Sequence, residues 1–260
     1  MLDLLSLGGL ADEAGLAEPS IVLRSLDVEG SLDLDLAGDR ALYPASMIKV
    51  PLAAAVMTLL AQGKHGPHDR VAVSAANMTA NDKASPLAPG YNASLDELLR
   101  LMITRSDNVA TNVLIDVAGR ERATHLCKEL GLTSTAIRRK LSGSEPLIDD
   151  PQATGRNSHP ARDAALLFEH IARGTVAGAH ELHELLRRQE WNSKLSRGLL
   201  SSDDFAHKTG DTEEVSHDGG ILRTADGENY LLVVYTALPG ENEQGDARFA
   251  RFMQMLRPLL

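Results

Sequence analysis

The stretch DFAHKTGDTEEVSHDGGILRTADGENYLLVVYT, Asp204–Thr236, carries three β-like runs: Asp204–Thr209, Gly219–Arg223 and Tyr230–Thr236. Asp226-Gly227 joins the last two, and such a pair supplies the positive φ that a tight hairpin needs. Two more strand patterns stand near the amino terminus, Ser20–Asp27 and Ser31–Leu36, with a turn at Glu29-Gly30. Between these groups the apolar spacing is helical, from Ser46 to about Gly63, then near Ser94–Thr104, Asn108–Ala118, Arg120–Leu130, Pro160–Arg173 and His180–Glu190. Leu2–Ala17, weakened at Gly8-Gly9, and Asp246–Leu259 add a helix at each end, while Asn77–Tyr91 and Leu141–His159 read as long loops. Two strands at the start and three at the end, bracketing helices, predict an α/β chain of the α+β type. Its core is an antiparallel five-stranded sheet packed by the terminal helices, with an all-α lobe beside it. The expected organisation is a single domain of two lobes, an α/β lobe over about 1–45 and 191–260 and a helical lobe over about 46–190. A cleft between the lobes is the expected site.

Composition narrows the function. A chain of 260 residues with 43% hydrophobic and 24% charged residues can bury a core, which excludes a disordered or fibrous protein. Its net charge of −10, with no long basic run, repels a phosphate backbone and excludes nucleic acid as a partner. The single cysteine, Cys127, has no intrachain disulfide partner and reads as an inert, semi-buried residue. The apolar runs Val50–Ala61 and Leu231–Leu238 are too short to span a bilayer, so no membrane partner is expected. The amino terminus lacks the basic segment and apolar run of a leader, which fits either a cytoplasmic chain or an exported one whose leader has been removed. His180-Glu181-Leu182-His183 places its histidines three apart, which fails the zinc-protease spacing, and phosphate- or dinucleotide-binding glycine loops are missing too. No metal and no cofactor are expected, and the partner is a small-molecule substrate of a monomer.

The strongest chemical signal is Tyr43-Pro44-Ala45-Ser46-Met47-Ile48-Lys49-Val50. Residues at i and i+3 of a helix share a face, so the amine of Lys49 reaches the hydroxyl of Ser46. A serine becomes a nucleophile when a neighbouring base takes its proton, and a desolvated lysine is such a base. Taken alone, the pair also fits a serine cap beside a surface lysine. Two further clusters, Ser106-Asp107-Asn108 and Lys208-Thr209-Gly210, follow in order, the second at a predicted strand. Together the three form the motif set of penicillin-recognising serine enzymes.

On these residues the chain resembles the class A serine β-lactamase family. The likeness runs through the strand pair before Ser46, Leu98–Gly119, Asn157–Phe168 and His207–Leu222. It implies a hydrolase of the β-lactam amide, with a role in antibiotic resistance, acting through an acyl-serine on Ser46 with Lys49 as proton partner. Ser106 would relay a proton to the leaving nitrogen, supported by Lys208. Asn108 would bind the substrate's side-chain amide, Thr209 its carboxylate, and the N–H groups of Ser46 and of Asp211, after Gly210, would form an oxyanion hole. Glu145 would activate the deacylating water, with Asp149 and Asp150 as weaker candidates, and Asn112 matches the position that holds this glutamate. Where the family commonly places an arginine after Lys-Thr-Gly, this chain has Val215-Ser216-His217-Asp218. His217 stands nearest as a substrate contact: a neutral donor, a pH-sensitive one, or a strand residue packed beside Asp218. A related esterase or D,D-peptidase acting on D-alanyl peptides or esters, and a penicillin-recognising sensor acylated without turnover, are the alternatives.

Overall fold

The computed structural model describes residues 2–27, 31–142, 154–240 and 242–260. The chain opens with α1 (Leu4–Ala14), whose start is capped by Asp3 accepting from the Ser6 N–H at 2.8 Å. The strands β1 (Ser20–Ser25) and β2 (Asp33–Leu36) follow; the turn expected at Glu29-Gly30 lies outside the described residues. Then come α2 (Lys49–Ala61), β3 (Arg70–Ala72), β4 (Asn92–Ser94), α3 (Leu95–Thr104), α4 (Asn108–Ala118), α5 (Arg120–Glu129), α6 (Ala161–Ala172) and α7 (Ala179–Arg187). The chain closes through β5 (Asp204–Asp211), β6 (Ser216–Arg223), β7 (Asn229–Thr236) and α8 (Glu243–Leu256).

The five long-range strands form one antiparallel sheet in the order β2-β1-β7-β6-β5, as the bracketing pattern predicts. Gly227, at φ +94°, turns β6 into β7, a conformation that a side chain resists. The two faces of the sheet bury different partners. Leu7 and Ala11 of α1 and Phe249, Phe252 and Leu256 of α8 cover Ile21, Leu23, Leu232 and Val234. On the other face Val22, Leu231 and Val233 join the core of the helical middle, with Phe168 of α6.

Helix α2 decides where the chemistry sits. Ten of its thirteen residues are buried, from Lys49 to Leu59, and a helix apolar all round belongs inside a core. Its first residue, Lys49, is carried in with it and is 0% exposed. One feature was not expected: β3 and β4 pair as a separate two-stranded sheet, Val71 opposite Ala93. Three residues per strand are too few for alternation to register in the sequence.

Candidate active site

The nucleophile candidate sits on a tight turn. Ala45 takes φ +47°, and the Met47 N–H returns to Pro44 O at 3.0 Å, so Ala45–Ile48 forms one 3-10 turn that runs into α2. In such a turn i and i+3 eclipse, and the Ser46 Oγ and Lys49 Nζ lie 2.9 Å apart. The sequence read this segment as plain helix; the tighter turn brings the pair closer.

A second element closes over the amine. Ser106 joins α3 to α4 at φ +59°, a strained left-handed conformation for a residue with a side chain. Asp107 then caps α4 by accepting from the Ala110 N–H at 2.8 Å. This delivers three acceptors to the Lys49 Nζ: Ser106 O at 2.5 Å, Ser106 Oγ at 2.9 Å and Asn108 Oδ1 at 2.7 Å. The third element is β5, which brings the Lys208 Nζ to 3.1 Å from Ser106 Oγ and 2.9 Å from Thr209 O. Gly210 lets the strand approach: a Cβ there would stand 3.1 Å from Pro44 O and from the Ser46 nitrogen. The Ser106 hydroxyl therefore bridges two buried amines.

Two ammonium groups around one hydroxyl, both out of water, do not both stay charged. Burial, reinforced by the neighbouring charge of Lys208, holds the Lys49 pKa well below the usual lysine range. Burial pulls Lys208 down to about 7, opposed by Asp211. The arrangement places beside the Ser46 hydroxyl an amine whose charge burial disfavours, and behind Ser106 one that titrates near 7.

The other sequence candidates distribute as follows. Thr209 and Gly210 border a small cleft of about 90 Å³ with Ser46, Ser106 and Asp211. Asn108 Oδ1 faces Lys49 while its Nδ2 donates to Ala80 O at 2.8 Å, leaving one amide N–H for a ligand. Asn112 is 0% exposed and binds Leu141 from both ends, accepting from its N–H at 2.7 Å and donating to its oxygen at 2.9 Å. It thus ties down the chain just before the Glu145 segment. Glu145, Asp149 and Asp150 themselves lie outside the described residues.

His217 needs a correction, because it does not border the cleft. It pairs with Gly210 across the sheet, is 0% exposed, and its ring stacks on Tyr235 at 4.0 Å beneath the nucleophile turn. Burial pushes its pKa down to about 4, and its two ring nitrogens face backbone carbonyls, Nε2 at 2.8 Å from Tyr43 O and Nδ1 at 2.7 Å from Ser216 O. Of the three roles left open by the sequence, the packed strand residue fits: the ring is fully buried in β6 and its nitrogens meet backbone, not the cleft. Cys127 is buried and its thiol is pushed up to about 12, as suits an inert residue.

Five cleft residues escaped the sequence reading: Asp82, Trp191, Ser193, Lys194 and Asp246. None stands in a motif, and only the fold brings segments this far apart together. A larger open groove of about 690 Å³ lies over α5 and the segment after it, lined by residues including Arg120, Lys128 and Arg138. It contains none of the groups above, which gather at the smaller cleft.

The sheet between helices and the motif residues at its edge define the serine hydrolase fold of the β-lactamases. A family model described as the beta-lactamase enzyme family matches residues 7–256, and the chain belongs to that family. It is 24% identical over 220 residues to the extended-spectrum beta-lactamase PER-1 of Pseudomonas aeruginosa, covering 76% of this chain and 68% of that one. Among solved structures it is similar to PBP-A, with a TM-score of 0.83 and 25% identity over 97% of this chain and 94% of that chain. It also shares its fold with a beta-lactamase from Sphaerobacter thermophilus, with a TM-score of 0.86 and 23% identity over 99% and 97% of the two chains.

Proposed function

We propose that this chain is a serine hydrolase of class A type that opens the β-lactam amide through an acyl-enzyme on Ser46. The observation that carries the reading is the continuous path Ser46 Oγ, Lys49 Nζ, Ser106 Oγ, Lys208 Nζ, with each step between 2.9 and 3.1 Å. Neutral Lys49 takes the Ser46 proton as the oxygen attacks the carbonyl. The N–H groups of Ser46 and Asp211 receive the developing oxyanion. The β-lactam C–N bond then breaks, and Ser106 hands its proton to the departing nitrogen while regaining one from Lys49. Deacylation is assigned to Glu145, which would draw a proton from water.

One observation favours a second reading. PBP-A is as similar in fold as the β-lactamases, and a variant of it has been solved as an acyl-enzyme with penicillin G. A chain of that kind would acylate and release slowly, or act on esters or D-alanyl peptides.

A chromogenic cephalosporin, followed by absorbance and intact mass together, separates these readings. Sustained turnover with little adduct is expected, and Glu145→Gln should trap the adduct while acylation stays comparatively intact. A persistent one-to-one adduct on the unaltered chain would instead establish the second reading. A Glu145→Gln chain that turned over normally would move the base elsewhere.

The acylation rate should also be bell-shaped in pH. It rises as Lys49 loses its proton, and it falls through about 7 as the charge of Lys208 behind Ser106 is lost. Lys208→Arg keeps that charge and should shift the descending limb to higher pH. A limb that did not move would show that the charge of Lys208 plays no part.

A further inference from the structure

The cation that the sequence lacks beside Thr209 is present, but it is already engaged. Lys194 lies just before the 3-10 turn Leu195–Gly198, is 2% exposed, and borders the cleft. Its Nζ donates to Asp211 Oδ1 at 2.6 Å, to Asp211 Oδ2 at 2.7 Å and to His217 O at 3.1 Å. An ammonium has three N–H bonds, so none remains for a ligand. Asp211 is held in turn by the Ser216 hydroxyl at 2.9 Å.

The pair is also fixed in place. The next residue, Leu195, donates its N–H to Asp218 Oδ2 at 3.0 Å, and Asp218 is 0% exposed. The turn that follows lies on α8 so closely that a Cβ on Gly198 would be 2.3 Å from Ala250 O. Lys194 cannot swing toward a substrate without giving up both contacts to the partly exposed Asp211 carboxylate and the one to His217 O. Asp82 and Asp246 border the same cleft, and among the described residues neither has a salt-bridge partner. With Lys194 neutralised by Asp211, the described residues bordering the cleft include the carboxylates of Asp82, next to the Asn81 that binds the Asn108 N–H, and of Asp246, and no free ammonium, which favours cations over anions at its mouth.

We propose that Asp211 is the specificity-determining residue of this cleft. By holding Lys194 it withholds that cation from a substrate carboxylate, and with Asp82 and Asp246 it selects substrates that present a positive charge along Gly210–Asp211. This rests on the acyl-serine reading above and names the substrate class for it.

The test compares benzylpenicillin, its neutral methyl ester and its cationic diethylaminoethyl ester at low ionic strength. Acylation of the purified full chain is followed by loss of β-lactam absorbance together with intact mass, so that both turnover and a persistent adduct are counted. The expected order of second-order rates is cationic ester, then methyl ester, then free acid, with the gap narrowing as salt is added. Asp211→Asn frees Lys194 and should raise the rate for the free acid about tenfold or more, the size of one charge-assisted hydrogen bond. Adding Lys194→Met should remove that gain. Asp246→Asn leaves the buried pair intact and should shrink the preference for the cationic ester several-fold, which decides the matter should Asp211→Asn not fold. A free acid that acylates faster than both esters, or an order unmoved by folded Asp211→Asn and by Asp246→Asn, overturns this proposal alone. Neither adduct nor β-lactam hydrolysis from any of the three overturns the acyl-serine reading and this proposal with it.

Discussion

A Ser46→Ala chain is expected to give no covalent adduct with a chromogenic cephalosporin, and its turnover to fall to the background left by binding alone. Removing the nucleophile of a serine hydrolase lowers kcat by on the order of 10⁶. The oxygen that would attack is the one held 2.9 Å from the Lys49 amine, and the described cleft has two serine hydroxyls besides it, Ser106 and Ser193. Ser106 is bound by both amines, so it lies deeper in the proton path and does not replace Ser46. The substitution deletes one oxygen at a half-buried turn, so the fold is expected to survive, and thermal unfolding checks that it does. Undiminished hydrolysis in this variant would remove the mechanism altogether.

Lys49→Met is the second large effect, and it moves activity and stability apart. Methionine keeps much of the volume of the stem and removes the base, so acylation should slow by about 10²–10⁴, the usual contribution of general base catalysis. Stability responds through linkage. The folded Lys49 has a pKa well below that of an unfolded lysine, and Lys208 sits at about 7. Between the folded and unfolded values the unfolded chain binds more protons, so the contribution of Lys208 to stability rises with pH from about 7 toward about 10.5, and Lys49, held well below its usual range, adds to the rise in the same direction. Lys49→Met deletes one of the two contributions. Its unfolding free energy should therefore climb less steeply across the same window, as urea denaturation at several pH values would register. A slope equal to that of the unaltered chain would mean that Lys49 is not neutral when folded.

How far the sequence reveals these facts depends on the range of the interactions. The β6–β7 hairpin is legible because Asp226-Gly227 is a local turn signal, and α4 runs over Asn108–Ala118 as its spacing predicts because Asp107 caps it and Gly119 ends it. The three serine and lysine motifs are legible because each is short and rigidly spaced. What the sequence hides is mostly orientation and distance. His217 stands near the position sought for an arginine, but cross-strand pairing with Gly210 turns its ring under the nucleophile turn, and one strand viewed alone does not say which face is which. Lys194 reaches Asp211 across 17 residues and a change of element, with no motif on either side. The small sheet of β3 and β4 is equally silent, since each strand is held in place by the other and not by its own pattern.

The place of β5 in the sheet has a further consequence. It stands last in the order β2-β1-β7-β6-β5, so one row of its backbone groups faces no neighbouring strand. A ligand lying along that rim is read mainly through its own backbone-like atoms, which differ little from one compound to another. On the proposed reading, discrimination then falls to the few side chains around the rim, such as Asp211 and Asp246, which lie outside the apolar core that Val233 and Phe252 build. Evolution can therefore exchange the clientele of this protein at its margin while the scaffold and the proton path stay as they are.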